Sequence, residues 1–366
     1  MNSFVKNLLS KKISGYVHDD IKDVSKYKLF NMGESFIAPS KKIKQLLKQY
    51  DIKKLSAYLD PKYKELREAI AKNLNIKPEF IMTTSGADEA ISLIPRALAE
   101  PGEASAIVVP TFYRITESNV AFKINNIVIA PDDKKNYEYD TTFINKIIRE
   151  VNQNKVRLIW ICNPNNPMGN IISEDKIEKI LKAIHKNSIL IIDEVFFEFY
   201  DPTNKKSAVR LVKKYKNLIV VRSLSKSYGL AGIRVGYAVS SKEIIEAINN
   251  IKPVFNINAL SEDVVKVALN DDGYIQEVSQ KTKIEREFLF GGIKKLANLS
   301  IVGDSQTNVF LLSHKQKDIF EELKKHKILT ADFRNSIGLE GQGCVRVTIQ
   351  DRKMNEELLK ILKKIN

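Results

Sequence analysis

The sequence lacks most of the features that would name a function at once. Cysteine occurs only at positions 162 and 344, far apart and in no CxxC pattern, which excludes a disulfide framework and points to a reducing compartment. Histidine occurs four times, at 18, 185, 314 and 326, never at the spacing of metal ligands, so metal chemistry is not expected. No apolar run is long enough to cross a bilayer. The apolar part of the opening MNSFVKNLLSKK is too short for a secretory signal. These absences together predict a cytoplasmic protein. Internal repeats, low-complexity tracts and long linkers are also missing. Acidic residues are outnumbered, giving a formal net charge of +15. The lysines, however, are scattered along amphipathic segments with no basic run interleaved with aromatics. That argues against a nucleic-acid partner and leaves a solvated basic surface, favourable to anionic substrates.

What is present is the alternation of an α/β chain. A length of 366 residues, 43% of them hydrophobic, is enough for one large core and a smaller second one. Unbroken apolar runs at Ala106 to Val109, Val156 to Cys162, Ile189 to Ile192, Leu218 to Val221 and Gly236 to Val239 read as strands. Helical periodicity separates several of them, as in Ile177, Ile180, Leu181 and Ile184. Strands without polar alternation indicate a mostly parallel sheet covered by helices on both faces. Another helix is predicted through Ile91, Ile94 and Leu98, with Pro95 expected to kink or open it. The final third differs: one long helical region from about Ser261 to Leu296, strand-like runs at Val309 to Leu312 and Val345 to Ile349, and a closing helix with Leu358, Ile361, Leu362 and Ile365. The predicted organisation is an amino-terminal segment (1–45) joining the smaller domain, a large α/β domain (46–255) and a small α+β domain (256–366).

Polar clusters follow the carboxyl ends of the predicted strands, where open α/β sheets bind their ligands. The most informative is Ser223-Leu-Ser-Lys226 through Arg234. A lysine at the end of a buried strand is poorly hydrated, and desolvation lowers an amine's pKa until it can attack an aldehyde as a nucleophile. Ser223, Ser225 and Arg234 could hold a phosphate beside it. An aldehyde that carries a phosphate is pyridoxal 5′-phosphate. A solvated lysine in a lysine-rich chain is the competing account of Lys226. Likewise Ser85-Gly-Ala-Asp88-Glu at a helix start offers N–H groups to a phosphate, or is an ordinary cap.

Taken in order, Tyr58-x-Asp60, Ser85-Gly-Ala-Asp88-Glu, Pro110-Thr-Phe112, Asn163-Pro-Asn-Asn166-Pro-x-Gly169, Asp193-Glu194, Ser223-x-Ser-Lys226 through Arg234, Phe255-Asn-Ile-Asn258 and Arg346 resemble the fold-type I pyridoxal-phosphate enzymes. Within these the chain is similar to the group of histidinol-phosphate aminotransferases and threonine-phosphate decarboxylases. The resemblance runs from about residue 30 to the end. It implies a mostly parallel central sheet between helices with a smaller α+β domain. It makes Lys226 the covalent attachment point and proton carrier, and Asp193 the partner of the pyridine nitrogen. Asn166 would donate to the cofactor's phenolic oxygen, and Phe112 would stack on the ring. Ala87 and Asp88, with Ser223, Ser225 and Arg234, would hold the cofactor phosphate. Tyr58 would reach the phosphate in a neighbouring subunit, implying a homodimer. Arg346 would clamp a substrate carboxylate, with Arg334 as a cation for a distal phosphate and Glu34 near the substrate mouth.

The chain departs from that pattern at four places. It has Asp193-Glu-Val-Phe196 where Asp-Glu-Ala-Tyr is usual in the aminotransferases, so one donor to the phenolic oxygen is missing and Phe196 resembles the decarboxylases. Met168 stands for Thr, Leu59 for Pro, and Gly33-Glu-Ser35 for Asn-Glu-Asn. Two activities are therefore carried forward. One is an aminotransferase, taking its amino group from L-glutamate for a small phosphorylated carbonyl compound. The other is a decarboxylase of a small phosphorylated amino acid. A cofactor-binding sensor is disfavoured, because no residues are spare for a DNA-binding module.

Overall fold

The computed structural model describes residues 23–366. The opening MNSFVKNLLSKK, His18 and the first half of the predicted 1–45 segment lie outside the described residues. Among the described residues twelve strands form two sheets. Strand β1 (Lys28–Phe30) comes first in the chain but belongs to the second sheet. Strands β2 (Ile81–Thr84), β3 (Ala104–Val108), β4 (Asn125–Ile129), β5 (Leu158–Cys162), β6 (Ile189–Asp193), β7 (Leu218–Ser223) and β8 (Gly236–Val239) make a seven-stranded sheet. Its order is β2-β8-β7-β6-β5-β3-β4, with β8 antiparallel to both its neighbours and the other pairs parallel.

The two-residue period of a strand sorts these runs onto two helical layers. In β5, Ile159 and Ile161 enter one core, while Leu158, Trp160 and Cys162 enter the other. In β7, Leu218 and Val220 face the first core, and Ile219 and Val221 the second. Each side chain so enclosed contributes about 1.5–3 kcal/mol. The same alternation fixes the site. Cys162, Asp193 and Ser223 continue the second face, toward the helix Gly86–Leu98, whereas Arg222 continues the first.

That helix runs unbroken through Pro95. It does not open there, and the carbonyl that Pro95 cannot serve, that of Ile91, accepts a hydrogen bond from Ser118 Oγ at 3.0 Å. The helical region expected from about Ser261 to Leu296 consists of two helices, Ala259–Leu269 and Asp272–Ile293. Between them, the Asp271 carboxylate leaves the helical path to accept from Ser40 Oγ and pair with Lys42 Nζ at 3.1 Å. Short strands β2 and β4 were not evident from periodicity. β2 ends in two threonines and β4 opens on two asparagines, so neither is an unbroken apolar run.

Strands β9 (Leu299–Val302), β10 (Val309–His314), β11 (Ile328–Asp332) and β12 (Val345–Thr348) join β1 in the order β1-β11-β12-β10-β9. β1 pairs in parallel with β11, and the other pairs are antiparallel. Val345 and Val347 bury one face of β12 against the helices Asp272–Ile293 and Arg352–Ile365. Arg346, between them, points from the opposite face, whose neighbours Leu311 and Ala331 pack with Met168 of the large sheet's loops. Among the described residues no helix is long and apolar enough to cross a membrane.

Candidate active site

Lys226 follows β7 by three residues, in a turn closed by Gly229 N–H donating to its carbonyl at 3.1 Å. Its side chain is half-buried, and Nζ donates to the Met32 carbonyl at 2.7 Å, 5.7 Å from the centre of the Phe196 ring. Loss of hydration lowers the amine to about 8. Arg346 and Arg234 act in the same direction, and Glu34 opposes them. The contact with the Met32 carbonyl argues against a freely solvated lysine.

Asp193 ends β6 opposite Cys162 and Val221. Among the described residues its side-chain partners are the Val195 N–H at 3.0 Å and the Cys162 thiol at 3.6 Å. Burial pushes its carboxyl up to about 6 in spite of those two donors. An enclosed carboxylate with no cation in contact matches a protonated heterocycle.

A candidate phosphate cradle lies on the same face. Ser223 Oγ donates to Ser225 Oγ at 3.0 Å and accepts from the Ser225 N–H at 3.1 Å, and Arg234 Nη1 reaches Ser225 Oγ at 3.4 Å. Gly86, at φ +72°, opens the helix carrying Ala87 and Asp88. A Cβ there would lie 2.4 Å from Arg234 Nη2. The helix start has no side-chain cap, which leaves its first N–H groups toward that guanidinium. Gly236 is equally necessary, since a Cβ would meet the Ala87 nitrogen at 2.6 Å. Asp88 turns outward to Arg114 Nε at 2.9 Å, so only its backbone serves the cradle.

The loop after β5 holds itself. Asn163 exchanges two hydrogen bonds with Ile172 (2.8 and 2.9 Å), and Asn165 binds the Pro110 carbonyl and the Met168 N–H. Asn166 is turned instead to Arg346, whose Nη1 donates to Oδ1 at 2.7 Å and whose Nη2 donates to the Asn31 carbonyl. Phe112 precedes the helix Tyr113–Ala121 and packs against the second core. Phe196 is buried beside Gly33, where a Cβ would touch its Cζ at 3.3 Å. Glu34 is exposed, its carbonyl accepting from Asn308 at 3.0 Å.

Two expected residues stand apart. Tyr58 is 84% exposed and stacks on Phe255 with ring centres 4.5 Å apart. Arg334 pairs with Asp332 at 2.7 Å, with Asp318, and with Glu321 at 3.8 Å, and lies over Phe320, all near the rim of the small sheet.

Sequence reasoning missed the Met32 and Asn31 carbonyls, which carry no side-chain signature, and the Cys162 thiol. It also missed a charged cluster on the other face of the sheet. Arg222, an ion inside the run Leu218–Ser223, was the available signal for it.

The sequence profile described as aminotransferase class I and II matches residues 27–362. Histidinol-phosphate aminotransferase of Thermoanaerobacter pseudethanolicus is 32% identical over 364 residues, 99% of each chain. The crystal structure of histidinol-phosphate aminotransferase from Clostridium acetobutylicum superimposes with a TM-score of 0.83 at 28% identity, covering 92% of this chain and 98% of that one. L-threonine-O-3-phosphate decarboxylase from Porphyromonas gingivalis gives 0.79 at 23% identity over 92% and 98% of the two chains, a likeness of fold alone.

Proposed function

Because this chain belongs to the class I and II aminotransferases, we propose that it is a pyridoxal 5′-phosphate enzyme that moves an amino group from L-glutamate to a small phosphorylated carbonyl compound. The observation that carries this reading is the meeting of Lys226, with its lowered amine pKa, and the buried Arg346 guanidinium in one site.

The residues present fit the cofactor. The Lys226 amine would attach to its aldehyde carbon. Asp193, enclosed without a cation in contact, would face the ring nitrogen, and Phe112 a ring face. Ser223, Ser225, Arg234 and the N–H groups of Ala87 and Asp88 would take its phosphate. With Oδ1 held by Arg346, Asn166 would have its amide N–H to donate to the cofactor's phenolic oxygen. When bound, the cofactor supplies an electron-accepting ring conjugated to the substrate carbon that carries the amine. The chain's own residues do the rest. Arg346 would grip the substrate α-carboxylate, the fork of its guanidinium fixing the plane of the carboxylate. Lys226, once released by the incoming amine, would carry the proton to and from that carbon, and an amine titrating near neutrality suits both directions. Met32, Gly33 and Glu34 would cover the mouth and exclude water. We place the exposed Tyr58 against a second copy of the chain, in a homodimer whose sites share it. The two buried free thiols suit a reducing cytoplasm.

Decarboxylation of a small phosphorylated amino acid is the second reading, favoured by one observation: the ring beside Lys226 is Phe196, with no hydroxyl to offer. The cofactor-loaded protein, mixed with glutamate and then with a phosphorylated amino alcohol (histidinol phosphate) and a phosphorylated amino acid (threonine phosphate), separates the two. Glutamate should discharge the yellow absorbance of the Lys226-bound cofactor. Release of carbon dioxide with the absorbance retained would install the decarboxylase instead. Lys226→Ala should abolish covalent attachment and turnover, and turnover with a normal spectrum in that variant would end both readings.

A further inference from the structure

On the face of the large sheet opposite the cofactor cradle lies a buried charge cluster that the proposed chemistry does not use. Arg222, Glu194, Ser207 and Ser227 are fully enclosed, and Glu198 nearly so. Arg222 donates through Nε to Glu194 at 2.7 Å, through Nη1 to Glu198 at 2.9 Å and Asn204 at 3.1 Å, and through Nη2 to Ser207 Oγ at 2.7 Å. Glu194 also accepts from Ser207 Oγ at 2.7 Å and from the Ala208 N–H at 2.8 Å. The second oxygen of Glu198 accepts from Ser227 Oγ at 2.8 Å.

Desolvating one guanidinium and two carboxylates costs several kcal/mol per ion, and an apolar filling would hold the sheet as well. The cluster's distinguishing property is where its members sit in the chain. Glu194 follows Asp193, Glu198 lies two residues after Phe196, and Ser227 follows Lys226. Ser225, before the lysine, is already held by Ser223 and Arg234. Ser227 completes the restraint from the other side.

We infer that Glu198 is a positioning residue for Lys226: clamped by Arg222, it takes the Ser227 hydroxyl and fixes the backbone from which the amine reaches the Met32 carbonyl. That this amine is the reacting one rests on the function proposed above. The Arg222–Glu194 pair anchors the same clamp to the end of β6, so that the lysine and Asp193 keep one relative geometry. Loosening the Ser227 bond lets the amine gain water and withdraw from Arg346, and both changes raise its pKa.

The test reads the amine in full-length chain freed of cofactor, through the pH dependence of Lys226 acetylation followed by mass spectrometry. The native midpoint should lie near 8. Ser227→Ala should raise it by about half a unit to one unit, and slow cofactor capture at pH 7 by about three- to tenfold. Ser227→Cys, which returns a weaker donor of similar size, should fall between the two. Ser240→Ala is the control. It removes a buried hydroxyl that donates to the Leu218 carbonyl at 2.7 Å, at the far end of β7, and should lower thermal stability without moving the midpoint. A native midpoint in both Ser227 variants, or an equal shift in Ser240→Ala, overturns the inference. Should Ser227→Ala not fold, Ser227→Cys decides alone by the same criterion. If the loaded wild-type chain neither transaminates nor decarboxylates, the functional reading falls, while the midpoints still decide whether Glu198 positions the amine.

Discussion

Arg346 Nη1 and Asn166 Oδ1 lie 2.7 Å apart, a bond that joins a strand of the small sheet to a loop of the large one. The same guanidinium reaches the Asn31 carbonyl, so one side chain ties three parts of the chain at the mouth of the site. Arg346→Lys keeps the charge and loses the fork. The KM for the amino-acid substrate should rise by about tenfold or more, with a smaller change in kcat. Steady-state kinetics with glutamate checks this. An unchanged KM alongside a lower Tm would reduce Arg346 to a structural tie.

Asp193 makes a pH-dependent prediction. Its folded pKa, about 6, lies above the ordinary 3.8, so folding resists its ionisation. The stability associated with this group is complete below pH 3.8 and is lost as pH rises through 6. At pH 7 the cost is about 3 kcal/mol, at 1.36 kcal/mol per unit. Asp193→Asn should therefore stabilise the cofactor-free chain at pH 7.5 by about 2–3 kcal/mol and leave it unchanged near pH 3.5. It should also slow the loaded enzyme by about a hundredfold or more. Urea unfolding at the two pH values measures the first effect. Equal stability of mutant and wild type at pH 7.5 would mean that the carboxylate has a cation after all.

Phe196→Tyr adds a hydroxyl on a ring centred 5.7 Å from Lys226 Nζ. If that hydroxyl reaches the cofactor's phenolic oxygen, it stabilises the deprotonated form, and the absorbance titration of the loaded protein should move to lower pH by about half a unit or more. A titration identical to wild type would place the ring away from the cofactor.

Arg334 is already neutralised by Asp332, Asp318 and Glu321. A substrate phosphate would have to compete with three carboxylates for it. Arg334→Ala should leave the KM for a phosphorylated substrate within about twofold, as expected for loss of partly exposed ion pairs. A tenfold rise would assign the distal phosphate to this residue and show that the pairs open in the complex.

The strands that carry the site were legible because each is an uninterrupted apolar run followed at once by polar residues. β5, β6 and β7 end at Cys162, Asp193 and Ser223, and the ligand-facing loops begin there. The edge strands were not legible, because segments such as Ile81–Thr84, half of it threonine, lack the unbroken apolar character of the strands that were read. In the continuous helix through Pro95 the freed carbonyl is taken by Ser118, and the break at Asn270 depended on Ser40 and Lys42. Each partner is distant in sequence, and local propensity cannot include it.

By itself the sequence determined the class of fold and singled out the candidate site. A phosphate cradle, a buried carboxylate and a lysine must each follow a strand, and strand ends are written locally as the point where apolar residues stop. Only the tertiary structure decided which atoms meet. The Met32 carbonyl holds Lys226, Arg346 crosses from the small sheet to Asn166, and Arg334 turns to its neighbouring acids. Those contacts depend on the packing of two sheets and on desolvation at their junction, and neither quantity is a property of any short stretch of chain.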